Sequence, residues 1–193
     1  MHPLFVTRGI VLSKRNIGEA HTLVTILTKE LGLVRAKATS TRAEQSKLRY
    51  GLESLTSGRY TFVRGRYEWK VTGVESVSRE YVPHSASCRS ALGRVSKLLL
   101  RLVRGEGESK ELFETVSQGF ALVAQTSDQE QVSATECVLV LRILMHLGYL
   151  PQTEVLQPFT EGAMHTSVET LRGRASHAFL IRAINESLMQ TGL

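Results

Sequence analysis

The hydrophobic period of this chain changes once. From Val6 to Glu75, β-prone residues gather in short runs at Thr7 to Leu12, Thr22 to Thr28, Leu33 to Ala38, Arg59 to Val63 and Glu68 to Thr72. Runs of this length, rich in Val, Ile, Thr and aromatics and punctuated by Gly, predict strands. Five of them in succession predict a small closed sheet. A five-stranded Greek-key barrel is the economical form, because closure removes the edges that would pair with other chains. In the third run Val34, Ala36 and Ala38 alternate with Arg35, Lys37 and Thr39, so one face packs while the other carries charge into solvent. Trp69 and Phe62 are predicted to fill the barrel, which leaves Tyr50, Tyr60 and Tyr67 as candidates for stacking on a ligand. The polar stretch Ser40 to Gly51 reads as a long exposed loop with room for one helical turn.

After Tyr81-Val82-Pro83 the period becomes 3.6, which places a domain boundary near residue 82, with 1–82 as the barrel and 83–193 as an all-helical domain. Leu92, Val95, Leu98, Leu99, Leu102 and Val103 share one helical face, and Arg89, Arg94, Lys97, Arg101 and Arg104 lie largely off it. Gly105-Glu106-Gly107-Glu108 ends that helix. A second helix is marked by Leu112, Phe113, Val116, Phe120 and Val123, with Glu108, Glu111 and Glu114 suiting its first turns. Ser133 to Leu147 forms a third, apolar on most sides and therefore central, capped by Gly148 with Pro151 beyond. Leu150 to Thr166 reads as loop, followed by helices at about Ser167 to Leu171 and Ser176 to Met189. The fold class is α+β, a barrel followed by helices.

Charge sharpens the division. Residues 1–104 carry 19 Lys and Arg against 7 acids, a net +12, whereas residues 105–193 carry 5 against 11, a net −6. The basic half invites a polyanion; the acidic half suits scaffold or docking. The turn Arg64-Gly65-Arg66-Tyr67 sets two guanidinium groups beside a phenol, and Arg pairs with phosphate while aromatic rings stack on unpaired bases. Candidate backbone contacts are Arg35, Lys37, Arg42, Lys47, Arg49, Arg64 and Arg66, with Lys14, Arg15, Lys97 and Arg101 as outer members and Tyr67 as the stacking residue.

Enzymatic chemistry finds little footing. The chain has 17 Glu but one Asp, Asp128, which argues against a two-metal carboxylate site, and it lacks phosphate-loop, dinucleotide, His-Glu-x-x-His and Gly-x-Ser-x-Gly signatures. The six histidines are scattered; His146, within the apolar third helix, reads as a core histidine. Cys88 and Cys137 read as buried, reduced thiols. No apolar run approaches the roughly 20 residues of a membrane span and no secretory leader is visible, so the expectation is a cytosolic protein with no cofactor and no catalytic turnover.

Several segments together resemble the RecO family of bacterial recombination mediators. They are Gly9-Ile10-Val11-Leu12, Arg15 with Gly18-Glu19-Ala20, Leu27 to Gly32, Arg42, Ser46-Lys47-Leu48, Arg64 to Tyr67 with Trp69, and Glu75. In the helical half they are Leu141-Arg142-Ile143-Leu144 and Leu147-Gly148-Tyr149-Leu150-Pro151. The order and spacing agree over roughly residues 5 to 151. The resemblance implies an N-terminal OB-fold and a C-terminal helical domain. It further implies binding to single- and double-stranded DNA, annealing of complementary strands, engagement of the acidic tail of single-strand-binding protein, and cooperation with RecR to load RecA. Many members carry a four-cysteine zinc site after the Gly-Tyr-x-Pro turn; Gln152 to Gln157 holds no cysteine, so structural zinc is not expected. Members usually carry a Lys/Arg-Gly step after the third strand, where this chain has Thr39-Ser40. Two other readings stay open on the residues alone: an adaptor recognising acidic protein tails, and an OB-fold RNA binder.

Overall fold

A computed structural model describes residues 3–17, 21–39, 48–108, 110–171 and 174–190. Five strands, β1 (Leu4–Ile17), β2 (His21–Thr28), β3 (Gly32–Thr39), β4 (Ser57–Arg64) and β5 (Trp69–Ser78), close into a barrel of order β1-β2-β3-β5-β4. The pairing is antiparallel except between β3 and β5. This is the OB-fold arrangement that the strand pattern and the family resemblance led us to expect.

Closure depends on β1, which is longer than its apolar run. Its first half pairs with β4, Leu4 opposite Val63 through Ile10 opposite Ser57. Its second half pairs with β2 as far as Ile17 opposite His21, with an irregularity between Val11 and Ser13. One strand thus serves two neighbours, and Gly9 lies where both pairings overlap: a Cβ there would meet Ile26 Cγ2 at 2.6 Å. β5 likewise outruns its predicted end at Thr72, because Gly73 pairs with Thr61 instead of breaking the strand.

The inward face supplies the core: Val11, Val24, Ile26, Val34, Ala36, Ala38, Phe62, Trp69 and Val71 are buried together. Phe62 and Trp69 meet edge to face with centroids 6.2 Å apart, as aromatic pairs prefer. Tyr60 joins them and is fully buried, its hydroxyl donating to the Gly51 carbonyl at 2.8 Å. That overturns its reading as a stacking residue, for a phenol can enter a core wherever one acceptor awaits its O–H. The acceptor lies in α1 (Leu48–Gly51), a single helical turn after which Leu52 inserts into the same core. The remainder of the expected loop, 40–47, lies outside the described residues.

The chain groups into two compact units, Met1–Val82 with Ser96–Phe113, and Pro83–Val95 with Glu114–Leu193. The helices are α2 (Ala86–Leu102), α3 (Lys110–Gln125), α4 (Gln129–His146), α5 (Gln157–Thr160), α6 (Met164–Thr170) and α7 (Arg174–Gln190). In the second unit α4 is central, buried along most of its length from Val132 to Leu144. Asp128 caps its start by accepting from the Glu130 amide at 3.0 Å. Gly148, at φ +77°, ends it, with the Tyr149 amide reaching back to the Leu144 carbonyl at 2.8 Å. His146 is on that last turn and exposed, its Nε2 2.9 Å from Thr115 Oγ1, so it is not a core residue. The stretch Leu150 to Thr166 is less loop-like than its sequence: Leu156, Phe159 and Met164 are buried, and their wide spacing hides α5 and the start of α6 from a periodicity test. Cys88 and Cys137 are buried free thiols.

Candidate nucleic-acid interface

Strand register sets the cations of the barrel in a row. Arg15 stands opposite Leu23, Leu23 opposite Lys37, and Lys37 opposite Lys70. Paired residues in a sheet share a face, and the flanking pair Ala36 and Trp69 points inward, so this row points out. Neighbouring strands lie about 4.8 Å apart, which puts Lys37 and Lys70 side by side and Arg15 about 10 Å away. Arg35 is one step along β3 on the same outer face and exposed. Like charges directly opposite each other destabilise a sheet, and an anion lying across Lys37 and Lys70 relieves that repulsion.

The row leads into an open groove of about 650 Å³ within the first unit. Leu23, Leu33 and Arg35 form one side, Tyr67, Glu68 and Trp69 a second, and Leu100 and Arg101 of α2 with Val103 to Glu106 just after it a third. Tyr67 is 86% exposed, with the Arg66 guanidinium 5.2 Å from its ring centroid. A free aromatic face at the rim of a groove holding Arg35, Arg101 and Arg104 combines a stacking platform with phosphate partners. Leu23, Leu33, Leu100 and Val103 add apolar surface to its lining.

Arg64 lies at the edge of this groove, its guanidinium 5.2 Å from the Trp69 ring centroid and Nη1 3.3 Å from Glu106 Oε2. The structure therefore brings together Arg35, Arg101 and Tyr67 around the groove, Arg64 and Arg66 beside it, and Arg15 and Lys37 along the adjoining row. Lys97 is exposed on α2, one turn before Arg101.

Two of the remaining candidates stand elsewhere. Lys14 shares the inward register of Val24, and its ammonium is 2.7 Å from Glu53, so it closes the barrel wall with a partly buried ion pair. Arg49 is on α1, 5.8 Å from the Tyr50 ring, and Gly51 of that turn packs on Val74 and Val77, far along β5 from Trp69. Arg42 and Lys47 lie outside the described residues. In the second unit Arg94 forms a bidentate pair with Glu136, both bonds 2.6 Å, and those hydrogen bonds hold its guanidinium above its ordinary pKa.

Sequence reasoning passed over two residues. Lys70 was signalled by alternation, since Trp69 and Val71 point inward and leave Lys70 outward, but a lone lysine between apolar neighbours drew no attention. Arg104 follows the last turn of α2, and its place in the groove depends on where that helix ends, which its sequence does not mark to the residue.

Comparison with known proteins supplies the decision. A family model described as Recombination protein O N terminal matches residues 1–79, the barrel. The chain belongs to the RecO family. It is 28% identical over 149 residues to the DNA repair protein RecO of Heliobacterium modesticaldum, covering 77% of this chain and 53% of that one. It is 28% identical over 153 residues to that of Gloeothece citriformis, 79% and 54%. Against that of Synechococcus sp. strain JA-3-3Ab it is 30% identical over 151 residues, 72% and 48%. The chain thus spans about half the length of the curated RecO relatives it matches. Among the described residues no helix is long and apolar enough to cross a membrane.

Proposed function

We propose that this RecO-family chain is a DNA-binding recombination mediator in DNA repair that holds and anneals single strands. The observation that carries the reading is the groove on the OB-fold unit, where Arg35, Arg101, Arg104 and the exposed ring of Tyr67 converge beside the Arg15, Lys37 and Lys70 row. We take residues 1–82 as the OB-fold domain and 83–193 as the helical domain, whose first helix lends Arg101 and Arg104 to the groove while the remainder serves as scaffold and docking surface.

The mechanism needs no bond chemistry. Two complementary strands repel through their phosphates, and a cationic surface that neutralises both lowers this barrier while leaving the base edges free to pair. Phosphate contacts carry no sequence information, so binding is expected to be indifferent to sequence. By analogy with the family, the chain acts with RecR and the acidic tail of single-strand-binding protein to help place RecA on covered strands, and it works in the cytoplasm near the nucleoid. It acts without catalytic turnover.

The test is an electrophoretic titration with single- and double-stranded DNA at several salt concentrations, followed by annealing of complementary oligonucleotides. Binding that weakens linearly in log salt, together with annealing faster than the spontaneous rate, supports the reading. Absence of both at low salt contradicts it. A tighter grip on a ribose strand than on its deoxy equivalent would move the assignment to RNA.

A further inference from the structure

Glu106 stands between α2 and α3, flanked by Gly105 and Gly107. Its two carboxylate oxygens have separate partners. Oε1 accepts the indole N–H of Trp69 at 2.6 Å, and Oε2 lies 3.3 Å from Arg64 Nη1. Arg64 and Trp69 also touch each other, guanidinium to ring. One neutral donor and one cationic donor thus converge on a single anionic centre at the lip of the groove. A phosphodiester also offers two equivalent oxygens on one centre, with the same charge, so these donors suit it as well as they suit a carboxylate.

We infer that Trp69 Nε1–H and Arg64 form a phosphate cradle whose resting occupant is the chain's own Glu106, and that a DNA phosphate takes the place of that carboxylate. The inference rests on reading the groove as the DNA interface, and it adds a site and a brake to it. Trp69 is only 6% exposed, and a buried indole N–H keeps an acceptor, so Glu106 leaves when another anion arrives. Its hold is light. The Arg64 and Glu106 side chains are 61% and 40% exposed, the setting in which ion pairs contribute least. Gly105, at φ +85°, has open space where a side chain would begin, whereas the Gly107 backbone packs on Gly32, so the exchange asks only the Glu106 side chain to turn aside. Glu108, two residues on, pairs instead with Lys110 at 2.6 Å and supplies a control of equal charge.

Trp69 is the single tryptophan of the chain, so its emission reports the cradle directly. Inorganic phosphate is titrated into wild type, Glu106→Ala, Glu108→Ala and the Glu106→Ala/Arg64→Ala double variant at constant ionic strength, after circular dichroism has matched their folds. Glu106→Ala is expected to give a saturable emission change with a half-point at least about fivefold below wild type, Glu108→Ala to follow wild type, and the double variant to lose the response. Glu106→Gln, which keeps an acceptor for the indole but no charge for Arg64, falls between. Identical curves for Glu106→Ala and wild type, or a response that survives loss of Arg64, overturn the cradle. A second arm uses a labelled thymidine oligonucleotide and fluorescence anisotropy: Glu106→Ala binds about three- to tenfold tighter, and the gain vanishes in the Arg64→Ala background. Equal binding by wild type and Glu106→Ala refutes the brake and leaves the DNA reading intact. The expected phosphate response without any oligonucleotide binding upholds the cradle and removes the DNA reading.

Discussion

Arg142 is the sharpest case of a cation that belongs to the fold and not to the interface. It projects from α4 and is buried, donating four hydrogen bonds: Nε to the Phe159 carbonyl at 2.9 Å, Nη1 to that of Gly162 at 3.1 Å, and Nη2 to that of Glu161 at 3.1 Å and to Ser167 Oγ at 2.9 Å. Burial draws its pKa downward, yet an arginine stays charged at neutral pH. Replacing Arg142 by Met keeps the apolar stem and removes the fork. The bonds to Glu161 and Gly162 are only part-buried and water replaces them; those to Phe159 and Ser167 are buried. Two buried bonds to a charged group are worth about 3–6 kcal/mol gross. Relief of the guanidinium's desolvation offsets part of this. Ser167 also keeps its own bond to the Pro158 carbonyl at 3.0 Å. A net loss of about 2–4 kcal/mol follows. With a urea slope of about 2 kcal/mol per molar, the middle of the usual range, the helical transition followed by circular dichroism should move down by about 1–2 M, or be lost altogether if the unit has no more stability to give. Arg142→Lys retains the charge but not the planar fork and should fall between. A midpoint shift under about 0.3 M for Arg142→Met would refute the structural role assigned to this residue.

Other outcomes follow from the same structure. Burial pushes the Tyr60 phenol up to about 12, so the stability it lends is complete below its ordinary value near 10 and is lost as pH rises from there to about 12. Tyr60→Phe should remove a tyrosinate absorbance component that titrates only at the top of that window, and should lower stability by about 1–2 kcal/mol through loss of the bond to Gly51. Burial also pushes the Cys137 thiol up to about 12, and Cys88 is fully buried, so a thiol reagent at pH 8 should label neither in the native protein and both in denaturant. Gly32 has φ +67°, and a Cβ there would stand 2.4 Å from the Gly107 carbonyl oxygen, so Gly32→Ala should cost about 2 kcal/mol or more, read by urea titration of Trp69 emission.

The barrel was legible because its strands are short β-prone runs set off by Gly and polar residues; β1 and β2 are buried on both faces over residues 9–12 and 24–28, while alternation orients the third. Val34, Ala36 and Ala38 against Arg35 and Lys37 is enough to orient β3. Apolar character alone misled where a polar tip found a partner. Tyr60 went inside because the Gly51 carbonyl was waiting, and His146, though on an apolar helix, is the exposed residue of its last turn. The groove was visible only in pieces. Arg35, Tyr67 and Arg101 carry chemistry that composition can flag, but their convergence depends on strand register and on where α2 stops, neither of which a local pattern records. Lys14 shows the reverse: one residue of register turns a cation from the outer face to the inner, where Glu53 meets it.

The most direct measurement is fluorescence anisotropy of a labelled thymidine oligonucleotide across a salt series, comparing wild type with the Arg35→Ala/Arg101→Ala/Arg104→Ala variant. If the groove holds the strand, affinity drops at every salt concentration and the slope of log affinity against log salt becomes shallower by about 2, near 0.7 for each lost phosphate contact. Equal affinity and equal slope for the two proteins would place the DNA elsewhere on the chain and contradict the account.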